Sequence, residues 1–336
     1  MRTHITNIYG HSPKSTALIA QNMTTNIAKS LDFNEIGIYA YPVSLDSPQE
    51  LRTRIDGMIS GVGFTDIVVA QFPTWNDMEF DESLIARLRE YSSLKLCIFV
   101  HDVLPLMFEE NYGLMPRFIA MCNQAQVVIL PTEAMRARLV SEGLQGPKII
   151  IQKLWDHQTT LSYQAPKFER LIHFAGNPDR FPFINQWRYQ TPLQVFDQPN
   201  DNSLTDNASF IGWYRDEEML LKLSSGFGLS WSENFPGKRE RDYSELNLSF
   251  KLSTYLAAGI PVIVRRGIAV ADFIATNHLG LVVDSLQEAD DIIQTMSETD
   301  YQVMATHVKQ ISFLVKNGYY TKKALIDSLH SLLSTD

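Results

Sequence analysis

Cysteine is scarce in this chain: Cys97 and Cys122 are the only two in 336 residues. No disulfide framework can be built from them, and their apolar neighbours read as buried thiols in a reducing compartment. Long apolar runs are missing as well. Those at 67–70 and 127–130 have strand length, far below the roughly 20 residues of a membrane span. The opening residues, Met-Arg-Thr-His-Ile-Thr-Asn, carry no secretory apolar segment, so a cytoplasmic protein is expected. A basic excess is absent too. With 38 acidic against 29 basic residues the net charge is −9, which argues against a duplex nucleic-acid binder. Small anionic ligands stay open, because local positive groups can hold them. No Gly-x-Gly-x-x-Gly follows the first strand, and there is no P-loop, no His-Glu-x-x-His and no cysteine pair of metal spacing. Asp77-x-Glu79-x-Asp81, beside Trp75 and Phe80, reads as a solvated helix start rather than a metal cluster.

What is present is ordinary globular material, 45% hydrophobic and 20% charged, long enough for two cores. Strand patterns fall at 4–9, 35–41, 66–71, 95–100, 125–130 and 149–151. Helical patterns fall between them at 15–30, 49–59, 82–91, 115–122 and 132–142. The polar, aperiodic stretch 155–167 reads as a linker. The rhythm then restarts, with strands at 171–174, 193–196, 209–211, 227–230, 262–265 and 281–283. Helices fall at 217–224, 248–258, 270–276 and 285–296, and two more at 301–315 and 320–333 close the chain. The polar run 198–207 reads as a loop. Strands separated by helices imply right-handed crossovers and parallel sheets. The expected fold class is α/β, with two doubly wound Rossmann-like domains facing a cleft. Residues 1–155 form the first domain and 168–318 the second. A C-terminal helix, 319–336, packs back toward the first. Ligands of such sheets sit beyond the carboxyl ends of the strands.

The segment Asn247-Leu-Ser-Phe-Lys251-Leu-Ser-Thr-Tyr255-Leu-Ala-Ala-Gly259-Ile-Pro261-Val-Ile-Val carries most information. Asn247 suits an N-cap, Gly259 a C-terminal stop, and Pro261 blocks continuation. A helix start with a flanking lysine is either an anion site or a solvated amphipathic face. Arg180 follows the turn Ala175-Gly176-Asn177-Pro178-Asp179, where it forks onto a phosphate or pairs with an acid such as Asp179. With Lys251 on the same sheet edge, a shared anion becomes the better reading. After Gly212, Trp213 and Tyr214 stack on a base or cover the cleft, and Asp216 can cap the next helix. Glu233 binds sugar hydroxyls or is a loop carboxylate. In the first half, Ser15 or Thr16 caps a helix or points into the cleft. His101-Asp102, after a buried strand, is a general base toward an acceptor hydroxyl or a packed histidine beside a capping aspartate.

The order Gly-x-x-x-Arg, Gly-Trp-Tyr with an acidic helix start, Ser-x-x-Glu, and Lys-x-x-x-Tyr-Leu-x-x-Gly-x-Pro-Val-Ile resembles the nucleotide-sugar half of GT-B glycosyltransferases. The start, His4-Ile-Thr-Asn-Ile-Tyr-Gly-His-Ser-Pro-Lys-Ser-Thr16, is similar to the glucosyltransferases that act second on bacterial serine-rich-repeat adhesins. That family is also described as nucleotide-sugar-synthetase-like or galactofuranosyltransferase-like. The resemblance covers nearly the whole chain. It implies a UDP-sugar donor, with glucose the expected sugar, and O-linked N-acetylglucosamine on a serine-rich adhesin as acceptor. It also implies that Arg180, Tyr214, Asn247 and Lys251 hold UDP, that Thr16 lies at the facing edge of the cleft, and that the protein is a homotetramer. No cofactor or metal is expected, since the cations and helix amides serve the diphosphate. Two other readings stand beside it: a non-catalytic acceptor-binding subunit of a glycosyltransferase complex, and a UDP-sugar epimerase of the same architecture.

Overall fold

The strands with unbroken β-branched runs occupy the middle of the first sheet. This sheet contains β1 (Thr3–Tyr9), β2 (Asn34–Tyr39), β3 (Ile67–Phe72), β4 (Lys95–Val100), β5 (Val127–Leu130) and β6 (Lys148–Ile151). All are parallel, in the order β2-β1-β3-β4-β5-β6. Helices cover both faces, so β3 and β5 are buried along their whole length while the edge strand β2 alternates. The computed structural model describes residues 1–198, 205 and 207–334. Most of the run 198–207, expected to be a loop, lies outside the described residues.

Local chemistry sets the helix starts. Ser15 caps the helix Thr16–Lys29 through the Leu18 amide at 3.3 Å. Ser47 and Glu50 close a capping box on Pro48–Met58. The helix expected at 82–91 begins earlier, at Met78, because Asp77 accepts the Phe80 amide at 3.0 Å from a backbone at φ 133°. Asp81 corrects the expectation of a solvated acidic start. It is buried, accepts the Thr74 amide at 3.3 Å and the Thr74 hydroxyl, and burial pushes its carboxyl up to about 7. Both cysteines are buried, and burial raises both thiols above their usual range.

Two compact units divide the chain. The first comprises Met1–Leu154, the short segment Pro236–Arg239 and the chain from Tyr320 onward. The closing helix Tyr319–Leu333 fastens to it through Gln152, which donates to the Thr321 hydroxyl at 2.9 Å, and through Lys95, which donates to the Leu332 carbonyl. Lys238 bridges to Phe108 in antiparallel fashion, and Arg239 pairs with Glu109 at 2.5 Å. Among the described residues no helix is long and apolar enough to cross a membrane.

The second unit holds β7 (Lys167–Phe174), β8 (Leu193–Val195), β9 (Ala208–Phe210), β10 (Ser225–Ser230), β11 (Val262–Arg265) and β12 (Gly280–Val283). The order is β12-β11-β10-β7-β8-β9, parallel throughout. The stretch 155–166 has no regular structure, yet its start is anchored inside this unit. Trp155 Nε1 donates to the Leu248 carbonyl at 3.2 Å, and His157 N–H to Val315 at 3.2 Å. Trp187, Phe174, Phe227 and Tyr301 fill the core.

Strand β10 shifts register against β7 at Gly226, which has φ 64°. A Cβ there would fall 2.3 Å from the Leu171 carbonyl oxygen, a backbone atom that cannot swing away. Gly226→Ala should therefore destabilise the second unit by about 1–3 kcal/mol. Urea unfolding followed by Trp fluorescence checks this; an unchanged midpoint would contradict it.

Candidate functional site

In the second sheet the order reverses at β7 and β10, the place where doubly wound sheets open a crevice beyond their carboxyl ends. The loop 175–181 leaves β7 at that edge. Gly176 leaves no room for a side chain: a Cβ would lie 2.5 Å from the Phe174 ring and 3.0 Å from Phe181. That close approach lets Phe174 and Phe181 meet edge-to-face, with centroids 5.1 Å apart. Phe181 is only 4% exposed.

Both expected cations converge on this ring. Lys251 Nζ lies 4.2 Å from the Phe181 centroid and 5.2 Å from that of Phe174, and the Arg180 guanidinium lies 5.3 Å from Phe181. Arg180 is half-exposed and forks onto Glu240, with two bonds of 2.9 Å. So an ion pair does form, but with Glu240 rather than Asp179. Among the described residues no carboxylate lies within ion-pair distance of Lys251, whose ammonium meets rings instead. Burial, and then the neighbouring Arg180, bring Lys251 down to about 7, with Glu240 pulling the other way. Two cations share one carboxylate, so the cluster is short of negative charge. Cation–π contact recovers about 0.5–2 kcal/mol, less than an anion placed between them would.

Lys251 stands near the start of the helix Phe250–Ala258, whose C-terminal stop is Gly259 at φ 91°. Asn247 is not the N-cap that its residue type suggested. Ser249 holds that position, without a side-chain capping bond. The reason is that Asn247 still belongs to the turn before: its amide donates to the Tyr243 carbonyl at 2.9 Å and its Nδ2 to the Tyr243 hydroxyl at 3.0 Å. Asn247 is buried and lines a small concavity with Ser230, Ser232, Ser244 and Ser249. Its hydroxyl-rich wall adjoins the helix start.

The remaining expected residues are dispersed. Tyr214, after the turn at Gly212 (φ 98°), packs edge-on against Phe196 at 6.2 Å, with Lys222 Nζ 4.8 Å from its centroid. Asp216 is not a cap but the first residue of the helix Asp216–Lys222, where the Arg215 amide meets Glu218 at 3.4 Å. Glu233 is exposed and accepts Trp231 Nε1 at 3.3 Å. The ring contacts of Tyr214 and the hydrogen bond of Glu233 are made away from the cation pair.

Thr16, His101 and Asp102 belong to the first unit, at the carboxyl edge of its sheet. Thr16 is exposed and opens a helix that Ser15 caps. His101 is buried, stacked on Phe99 at 5.0 Å, with Nε2 2.8 Å from Gln71 Oε1. The Gln71 amide nitrogen already donates to the Thr6 and Gln21 carbonyls and to the Thr25 hydroxyl, so Oε1 is the acceptor and His101 donates from Nε2. Burial lowers the imidazole to about 3, which keeps it neutral and weakly basic. Asp102, next to it, is half-buried.

Residue type alone does not reveal Phe174, Phe181 or Glu240 as parts of the site. Phe181 follows Arg180 directly, which is a local hint, but Glu240 sits in the charge run Lys238-Arg239-Glu240-Arg241 and resembles any solvated acid.

Comparison with known proteins places the chain among relatives. The family model for the glucosyltransferase 3-like C-terminal domain matches residues 172–328, and that for the N-terminal domain matches 2–154. Glucosyltransferase 3 of Streptococcus gordonii is 46% identical over 335 residues, 99% of this chain and 100% of that protein. Its Streptococcus parasanguinis counterpart is 41% identical, covering 98% of each. Among solved structures, sucrose-phosphate synthase of Thermosynechococcus elongatus superposes with a TM-score of 0.69 at 12% identity, covering 100% of both chains. Anabaena HepE, in complex with UDP and glucose, gives 0.63 at 11% identity, covering 97% of this chain and 99% of that one.

If Arg180 repels Lys251 while Glu240 attracts it, Arg180→Ala should move the Lys251 titration upward from about 7 on both counts. NMR titration of the lysine Cε resonance reads this directly, and an unmoved midpoint would show that the two cations do not sense each other.

Proposed function

Since the chain belongs to the glucosyltransferase 3-like family, we propose that it transfers glucose from UDP-glucose to N-acetylglucosamine O-linked to a serine-rich-repeat adhesin. At the coarser level the chain is a glycosyltransferase of GT-B fold. The observation that supports a nucleoside-diphosphate donor is the Arg180–Lys251 pair on the Phe181 ring. In this reading the protein works as a cytoplasmic homotetramer and needs no metal, because the two cations and the amides of the helix Phe250–Ala258 neutralise the diphosphate.

The difficult event is departure of UDP while the anomeric carbon becomes cation-like. Negative charge then grows on the leaving diphosphate. Lys251 and Arg180 bind that charge more strongly at the transition state than before it, and this difference lowers the barrier. The diphosphate takes the Arg180 fork from Glu240, and Asn247 with its serine neighbours faces the donor from the concavity. Tyr214 contacts the uracil and Glu233 the sugar hydroxyls. On the first unit, Asp102 receives the acceptor proton, His101 orients that hydroxyl as a neutral ring, and Thr16 contacts the acceptor sugar.

Incubation with a panel of UDP-sugars and a GlcNAc-bearing serine peptide, read by mass, tests the reading. A gain of one hexose from UDP-glucose is expected, and no gain from any UDP-sugar would refute it. A parallel incubation without acceptor exposes an epimerase, since only that activity converts the donor alone. Lys251→Ala and Arg180→Ala should each lower turnover by on the order of tenfold to a hundredfold.

The lysine also sets a pH dependence. UDP-glucose keeps its diphosphate charge constant near neutrality, so titration of the protein dominates. Lys251 titrates near 7 when free, and an adjacent diphosphate raises that value. The bound state therefore holds more protons. Affinity should be full below about pH 7 and weaken by up to about tenfold per pH unit above it, until the bound-state value is passed. Calorimetric titration across about pH 6–9 should show this slope in the wild type and lose it in Lys251→Met.

A further inference from the structure

Tyr255 completes the Lys-x-x-x-Tyr motif, and nothing above gives it a task. It follows Lys251 by one helical turn, so the two share a face of the helix Phe250–Ala258. Its side chain is fully buried. The ring lies against the backbone of Gly228 in β10, where any Cβ would fall 2.2 Å from it. At its far end the hydroxyl oxygen accepts the amide N–H of Ala175 at 2.9 Å. Ala175 is the first residue beyond β7, and the loop it opens carries Gly176, Arg180 and Phe181.

One side chain therefore ties together the helix that bears Lys251, the strand β10 and the root of the loop that bears Arg180. A residue needed only to fill the core would need only the ring. The phenolic oxygen adds a directional bond to one backbone amide, located where the β7 ladder has ended at Phe174. Burial pushes the phenol well above its ordinary range, so the hydroxyl stays neutral at any working pH. Gly228 answers the same need from the opposite side, since only a glycine lets the ring lie flat on the strand.

We propose that Tyr255 is a positioning residue that holds the Arg180 loop at a fixed separation from Lys251, so that both cations meet one diphosphate. The assignment rests on the UDP-sugar reading above. It predicts that the hydroxyl acts through Arg180, and so that its value depends on Arg180 being present.

The test is a double-mutant cycle on kcat and KM for UDP-glucose with the GlcNAc peptide, using Tyr255→Phe, Arg180→Ala and the double variant. Tyr255→Phe should raise KM about tenfold with a smaller change in kcat, and should cost about twofold or less once Arg180 is gone. In the ligand-free protein, the Ala175 amide should exchange with solvent about tenfold faster in Tyr255→Phe. Gly228→Ala, which displaces the same ring from below, should reproduce the KM effect if Tyr255→Phe proves too unstable to assay. Equal losses in both backgrounds, or a wild-type KM in Tyr255→Phe, would overturn the assignment while leaving the donor reading in place. Absence of UDP-glucose binding to the unaltered protein would overturn both.

Discussion

Two cationic side chains held against one aromatic ring, with a single carboxylate paired to only one of them, is the arrangement on which the second unit turns. Phe181 can lie where it does only because Gly176 has no side chain, and Lys251 can reach it only from the first turn of its helix. The arrangement is electrostatically incomplete as it stands. A lysine brought down to about 7 marks a place where the protein has removed water without supplying a full counter-charge. Glu240 partly offsets this for Arg180 and leaves Lys251 to the rings. The cluster therefore holds more cationic groups than carboxylates.

The first unit uses burial differently. There a connected set of amides and hydroxyls, Gln71 with Thr6, Gln21 and Thr25, fixes the donor face of His101. The ring is held neutral and oriented, not charged. Asp81, nearby in sequence to the same sheet edge, is likewise a buried acid satisfied by Thr74. These are buried polar elements satisfied by directional bonds, whereas the second unit leaves net charge.

The sheets were highly legible in the sequence. Patterns at 95–100 and 262–265 coincide with β4 and β11 residue for residue, and 115–122 with the helix Met115–Cys122. Buried parallel strands advertise themselves by unbroken β-branched runs, and crossover helices by their periodicity. Helix starts were less legible where capping overrode pattern. Asp77 caps a helix that begins at Met78, four residues before the expected Glu82, and Asn247 is retained by Tyr243 instead of opening the next helix. Within the site, Arg180 and Lys251 could be read because charged residues at strand ends are conspicuous. Their partners could not. Glu240 and Tyr255 acquire meaning only from neighbours dozens of residues away, and Phe181 offers only its adjacency to Arg180 as a local hint.

The short segment Pro236–Arg239 packs with the first unit although the residues on either side of it belong to the second. The closing helix from Tyr320 also returns to the first unit after the second is complete. The first unit is therefore discontinuous along the chain, assembled from three separate stretches. A gene fragment ending at Leu154 would leave Lys95 and Gln152 without the helix that receives their hydrogen bonds. Ribosomal synthesis must run past Tyr320 before the first unit has all its parts, so modular excision or swapping of a half would have to respect four crossing points instead of one.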